Sequence, residues 1–257
     1  MNLLHAVILG IVEGITEFLP ISSTGHLILA SNLMRLSQTD FVKTFEIAIQ
    51  SGAILSVIVL YSGKMRKDFE LGKRVLVAFI PTAIVGFVLY KFIKHYLIGN
   101  PNVVLLSLLI GGVALIGVEL LFKRRAKKQT EDKEITYEKA AVIGLFQSIA
   151  VIPGVSRSAS TIIGGMLLGI SRENATEFSF LLAVPTMLAA TALDLKETSI
   201  NFTANEWLML LVGFIVSFVV AIFAIKWLMS YVKSNNFIGF GIYRIAISII
   251  YFLLIIR

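Results

Sequence analysis

The sequence predicts an all-α polytopic membrane protein: six transmembrane helices plus two re-entrant helix hairpins, arranged as an inverted-topology repeat in a single integral-membrane domain over residues 1–257. Three observations carry that prediction. Of the 257 residues, 57% are hydrophobic and 15% charged, with a mean hydropathy of +0.87, far more apolar than a soluble domain. Six stretches are long and apolar enough to cross roughly 30 Å of hydrocarbon, which takes about 20 residues. Two further apolar stretches are each interrupted by a polar, proline-containing turn.

In chain order, residues 2–19 and 21–34 are each too short to span and meet at Pro20, inside "EGITEFLPISSTGH". Spans are expected at about 41–61, 75–94 and 102–122. A second broken pair, 137–152 and 158–169, meets at "PGVSRS", and three more spans follow at about 173–195, 205–230 and 237–256. Irregular backbone at membrane depth is tolerated only where protein or a wet cavity surrounds it, so each broken pair reads as a re-entrant hairpin of two half-helices. One kinked span per pair is the alternative, and it would alter the topology.

The two broken segments also align with each other. Shifted by 134 residues, "GIVEGITEFLPISSTGHLIL" lies on "GLFQSIAVIPGVSRSASTII", pairing Gly10 with Gly144, Ser22 with Ser156 and Ile28 with Ile162, with Glu13 opposite Gln147. This gives a first repeat over 1–122, its hairpin at about 2–34, and a second over 135–257, its hairpin at about 137–169. Each half is one hairpin and three spans. Three is odd, so the halves face opposite ways, as in many transporters with sites at the repeat interface.

Charge sets the expected orientation. The net charge of +7 sits mainly in "GKMRKDFELGKR" (63–74) and "KRRAKKQTEDKE" (123–134). Lys/Arg bias of this kind marks cytoplasmic loops rather than nucleic-acid binding. Lys226 and Lys233 fall on the same face. Residues 95–102 and 194–206 then lie on the other face, and both termini are expected outside. The first Lys or Arg is Arg35, so no basic region precedes the first apolar run and a cleaved signal peptide is not expected. The absence of Cys removes thiolate metal sites and thiol nucleophiles. Gly-Lys-Ser/Thr phosphate loops, His-Glu-x-x-His and Gly-x-Ser-x-Gly are absent as well.

The polar residues of the broken segments are the candidate site. Glu13 and Glu17, four apart, share a helix face, and two carboxylates in lipid need a compensating partner. A hard cation, Mg²⁺ or Ca²⁺, suits them, since it keeps waters and meets substrate phosphates. The bland alternative is solvation at the interface. Ser22, Ser23 and Thr24 open the next half-helix. One hydroxyl suffices for an N-cap, and there are three. Ser23 is the candidate nucleophile, and His26, one turn later, is its candidate base or an acid for the leaving group. In the second turn, Arg157 with Gly154, Ser156 and Ser158 suggests an anion cradle of backbone N–H groups and a bidentate guanidinium. Its alternatives are snorkelling or pairing with Glu17. For Arg244, inside the last span, snorkelling or helix pairing is expected rather than chemistry.

Together "EGITEFLPISSTGHL" and "PGVSRSAST" resemble the two signature regions of the bacterial undecaprenyl-diphosphate phosphatase family, also known for bacitracin resistance, along essentially the whole chain. The resemblance implies a bacterial cytoplasmic-membrane hydrolase. Its implied reaction removes the terminal phosphate of undecaprenyl diphosphate, recycling the lipid carrier for peptidoglycan and other envelope polymers. By position, the family's glutamate-rich motif falls on Glu13 and Glu17, its Ser-Ser-Thr-Gly-His segment on Ser22 to His26, and its Pro-Gly-x-Ser-Arg-Ser motif on Pro153 to Ser158, with no departure in either motif. The other large class of membrane lipid phosphatases is only partly echoed, because no His follows Arg157. The expected partners are the polyprenyl diphosphate and the bilayer, with homodimerisation left open and the site facing the exterior. A flippase of polyprenyl phosphate using the same cavity is the rival function, but a pure anion carrier needs Arg157 and not a nucleophile or base.

Overall fold

A computed structural model describes residues 1–37, 39–97, 100–126, 134–196 and 202–253. Among them the chain is helical, with no strand. In chain order come α1 (Leu3–Thr16), α2 (Ser23–Leu33), α3 (Asp40–Lys67), α4 (Phe69–Phe92), α5 (Pro101–Ala126), α6 (Tyr137–Ser148), α7 (Arg157–Leu167), α8 (Arg172–Lys196), α9 (Ala204–Ser234) and α10 (Ile238–Tyr251). Five helices, α3, α4, α5, α8 and α9, are long and apolar enough to cross a membrane, while α1 and α10 are apolar but shorter. Large apolar side chains such as Phe87 (79% exposed) and Ile110 (65%) point outward, as a lipid solvent allows and water does not. The protein is an all-α polytopic membrane protein.

The helix ends follow the local chemistry. Asn2, Thr39, Asp68 and Thr136 accept the first free backbone N–H groups of α1, α3, α4 and α6. Pro101 occupies the first turn of α5, where its missing N–H costs nothing. Thr203 and Glu206 form a reciprocal capping box on α9.

The basic stretch 63–74 is not a loop. Helix α3 runs to Lys67 and α4 starts at Phe69, leaving Asp68 alone between them. Asp68 closes the corner by accepting Leu71 N–H at 2.9 Å, and Lys64, Arg66 and Lys67 sit at the negative end of the α3 dipole. Lys226 and Lys233 likewise lie within α9, which runs on to Ser234. Parts of four expected features lie outside the described residues: 127–133 of the second basic stretch, 98–99 and 197–201 of the opposite-face segments, and 254–256 of the last span.

Each broken segment is a pair of short helices joined by a proline-containing turn. Helix α1 packs on α9 and α3, and α6 packs on α4, so both pairs are sheathed by long helices. Their turns meet. Ser158 Oγ donates to the Phe18 carbonyl at 2.7 Å, and Phe18 sets its ring edge-to-face on Phe180 of α8, centroids 5.4 Å apart.

Candidate functional site

The two turns share an uncommon backbone. Ser22 has φ 71° and Ser156 φ 76°, both in the left-handed region that non-glycine residues avoid. Each then caps the following helix: Ser22 Oγ accepts Gly25 N–H at 3.4 Å, and Ser156 Oγ accepts Ala159 N–H at 3.1 Å. Strain of this kind persists only where its surroundings hold it, and it clusters at functional sites. Gly154 (φ 91°) is a glycine for a second reason as well, since a Cβ there would lie 2.7 Å from the Val104 carbonyl oxygen.

What holds the turns is Arg244. Its guanidinium is fully buried and donates to five carbonyls: Pro20 (3.3 Å) in the first turn, Gly154 (3.0 Å) and Val155 (3.0 Å) in the second, and Ser107 (2.9 Å) and Leu108 (3.3 Å) on α5. It neither snorkels nor simply pairs two helices. A planar group with five N–H donors meets three carbonyls of the broken turns and two carbonyls inside α5, and only the fold brings those carbonyls together.

Between the turns lies a cavity of about 130 Å³, lined by Glu17, Ser22, Ser23, Thr24 and Gln50 on one side and by Pro153, Gly154, Ser156 and Arg157 on the other. The N-termini of α2 and α7 both border it, so the first unpaired N–H groups of two helices and the positive ends of two dipoles converge on one space. Ser23 Oγ donates to Glu17 Oε2 at 2.6 Å. Arg157 Nη2 donates to Glu17 Oε1 at 2.9 Å, with side chains only 9% and 5% exposed. Arg157 Nη1 reaches the Ser179 carbonyl at 2.9 Å, its guanidinium sits 5.6 Å from the Phe18 ring centroid, and its Nε–H is buried without a partner. One carboxylate thus joins a hydroxyl from the first turn to a guanidinium from the second.

His26 is placed differently. Its Nδ1 lies 2.8 Å from the Ser22 carbonyl and its Nε2 2.8 Å from Tyr243 Oη. A carbonyl only accepts, so Nδ1 carries the proton and Nε2 accepts from the tyrosine. Both ring nitrogens are occupied away from Ser23, and Glu17 is the group beside that hydroxyl. Glu13 does not line the cavity. It is fully buried, neither carboxylate oxygen meets a hydrogen-bond donor, and its charged neighbours are Glu17, whose carboxyl lies in hydrogen-bonding range, Glu46 and Arg157. Ser158 is turned to the Phe18 carbonyl and away from the cavity. Sequence reasoning missed Gln50, Ser179 and Tyr243. Gln50 had a signal, for Glu46 and Gln50 stand four apart in a largely apolar span, whereas Tyr243 looked like any interfacial aromatic.

Fold and cavity define a polytopic membrane protein with a buried polar chamber of mixed charge, closed by two broken helices. The family model described as bacitracin resistance protein BacA matches residues 6–250. A curated relative named undecaprenyl-diphosphatase, from Aquifex aeolicus (strain VF5), is 54% identical over 247 residues, covering 96% of each chain. One of the same name from Sulfurihydrogenibium sp. (strain YO3AOP1) is 54% identical over 253 residues, covering 98% of this chain and 99% of its own. Another from Persephonella marina (strain DSM 14350 / EX-H1) is 52% identical over 256 residues and covers both chains fully. The chain belongs to the bacitracin resistance protein BacA family.

Proposed function

We propose that this chamber hydrolyses undecaprenyl diphosphate to undecaprenyl phosphate and inorganic phosphate, returning the lipid carrier to envelope polymer synthesis and so supporting bacitracin resistance. The observation that carries the reading is the Ser23–Glu17–Arg157 chain on the cavity wall. The terminal phosphate enters between the N-termini of α2 and α7, where backbone N–H groups and the free Arg157 Nε–H bind its oxygens. Ser23 Oγ attacks the terminal phosphorus as its proton passes to Glu17 Oε2. The bond to the bridging oxygen breaks and undecaprenyl phosphate leaves. Glu17 passes its proton to the departing undecaprenyl phosphate. Water then attacks the phosphoseryl group, Glu17 takes that water's proton and returns it to Ser23 Oγ, and Ser23 and inorganic phosphate are released. Phosphoryl transfer depends on positioning and charge stabilisation more than on covalent chemistry, so two helix ends, a guanidinium and one base suffice. A carrier that only moved the anion would have no use for the hydroxyl–carboxylate pair.

Glu13 and Glu17 are the residues that would hold a divalent cation, Mg²⁺ or Ca²⁺, whose charge would offset that of the diphosphate. Glu13 fits that role because both its oxygens are buried and meet no hydrogen-bond donor. Among the described residues no group of three or more His, Cys, Asp or Glu is placed to hold a metal ion, so waters and substrate oxygens would complete the shell, as Mg²⁺ prefers. His26 acts on the strained Ser22 by gripping its carbonyl. The two halves form an inverted repeat of three spans and one re-entrant hairpin each, with both termini and the mouth of the chamber outside.

Phosphate release from undecaprenyl diphosphate by purified protein, with and without chelator, tests the chemistry. A phosphoseryl peptide containing Ser23 is expected in a quenched reaction, and full activity in Ser23→Ala would remove the covalent route. The chain has no Cys, so single cysteines at Asn100 and Lys123, probed with an impermeant maleimide on whole cells, test the orientation: Asn100 is expected to label and Lys123 not.

A further inference from the structure

Among the described residues, three apolar cavities open on the outer surface of the helices. The largest, about 700 Å³, runs between α4 and α8 and is lined by residues including Phe79, Gly86, Tyr90, Ala190 and Leu193. That volume falls in the range of small-molecule sites. It shares Ala150, Arg157 and Met187 with the polar chamber, so the two spaces join at the guanidinium. The other two, about 420 Å³ beside Phe202 and Trp207 and about 390 Å³ beside Trp227 and Tyr231, share no lining residue with the chamber.

The sequence sets apart the two helices that flank this gap. Of the five prolines, two fall inside spans, Pro81 in α4 and Pro185 in α8. A proline within a helix removes one ladder bond and crowds the preceding turn, which bends the helix. The comparable pair, α3 and α9, has no internal proline and packs so tightly that a Cβ on Gly52 would collide with the Phe214 carbonyl. On α4, a Cβ on Gly86 would meet nothing within 4 Å.

We infer that the α4–α8 groove is the site of the polyprenyl tail, with the diphosphate passing Arg157 into the chamber, an inference that rests on the hydrolase reading above. A photoreactive diazirine placed in the tail of a polyprenyl diphosphate tests it directly. Label is expected within residues 79–93 and 186–193. Label confined to 202–214 or 227–243 would assign the tail to one of the other cavities and overturn the inference. A second measurement uses Gly86→Trp, which fills open space instead of packed core. KM for undecaprenyl diphosphate is expected to rise at least about tenfold with kcat changed much less, the signature of lost ground-state binding. Ile110→Trp on the outer face of α5 should leave both constants alone. An unchanged KM in Gly86→Trp, or a collapse of kcat alone, would refute the tail site. Absence of phosphate release by the wild-type protein would instead refute the hydrolase reading, which the labelling pattern does not depend on.

Discussion

The α1–α2 and α6–α7 hairpins have the same backbone and different chemistry. Each turns at a proline, each caps its second helix with a serine at positive φ, and each yields a turn carbonyl to Arg244. Yet Glu13, Glu17 and His26 of the first stand where the second has Gln147, Val151 and Ser160, and Ser23 stands where the second has Arg157. Both turns leave the first backbone N–H groups of the following helix without an intrahelical partner. In the proposed mechanism the side chains divide the work, with base and hydroxyl on one hairpin and the cationic grip on the other. Gln147, the counterpart of Glu13, spends its amide on Thr82 and Thr186 at 2.9 and 3.0 Å, which is structural use of the same position.

The sharpest way to break this division is to neutralise the first copy's base. Glu17→Gln keeps size and hydrogen-bonding capacity but cannot take the Ser23 proton. Phosphate release is expected to fall about 10²- to 10⁴-fold, the range typical of a general base, and Ser23→Ala should fall at least as far. On the second copy, Arg157→Lys preserves charge while losing the planar fork that holds Glu17 and Ser179 together. A loss of about 10²- to 10³-fold is expected, comparable to removing an electrostatic donor at a reacting centre. If Arg157→Lys turned over normally, the grip would have to come from the helix ends alone.

The feature the copies share can be broken too. Arg244→Met leaves the three turn carbonyls of Pro20, Gly154 and Val155 without their donor, and an unpaired buried polar group costs about 1–3 kcal/mol. Thermal stability in detergent is expected to drop by about 3 kcal/mol or more, with activity lost alongside it. A stable but inactive variant would place Arg244 in the chemistry. Smaller effects should follow at the caps. Glycine tolerates positive φ and costs an N-cap only a few tenths of a kcal/mol, whereas alanine costs about 1. Ser22→Gly and Ser156→Gly should therefore both fold and unfold near the wild-type temperature, and the two alanine variants should both lose a few degrees. Unequal losses would mean that one copy holds its turn by other means.

How much of this was legible in the sequence depends on what kind of signal each residue leaves. Five long apolar helices and the two broken segments were, because hydropathy and proline are local properties, whereas the sixth expected span, 237–256, is a shorter helix over its described residues, Ile238–Tyr251. The meeting of Glu17 with Arg157 could be anticipated, since a carboxylate and a guanidinium in apolar surroundings have few other partners. The basic stretch 63–74 was misread as a loop because charge reports exposure to water, not the loss of helical hydrogen bonds. Arg244 and Tyr243 were not legible in their roles. Their partners are carbonyls and a histidine more than 80 residues away in sequence, and a carbonyl left unpaired by a turn has no letter of its own.

His26 offers the finest test, because sequence spacing and geometry pull in different directions. Spacing put it one turn from Ser23, as a base should be. Geometry gives its Nδ1 proton to the Ser22 carbonyl and its Nε2 to Tyr243, whose ring stacks on the imidazole with centroids 5.5 Å apart. Tyr243→Phe keeps the stacked ring and removes one hydrogen bond of about 1 kcal/mol, so phosphate release should stay within about fivefold of wild type. His26→Ala removes the hold on the Ser22 carbonyl as well and should cost more, while remaining milder than Glu17→Gln. The order of the three is the decisive quantity. Should His26→Ala match or exceed Glu17→Gln, with Tyr243→Phe close behind, the proton would be leaving Ser23 by way of the imidazole, and the carboxylate would be only the clamp that holds Arg157.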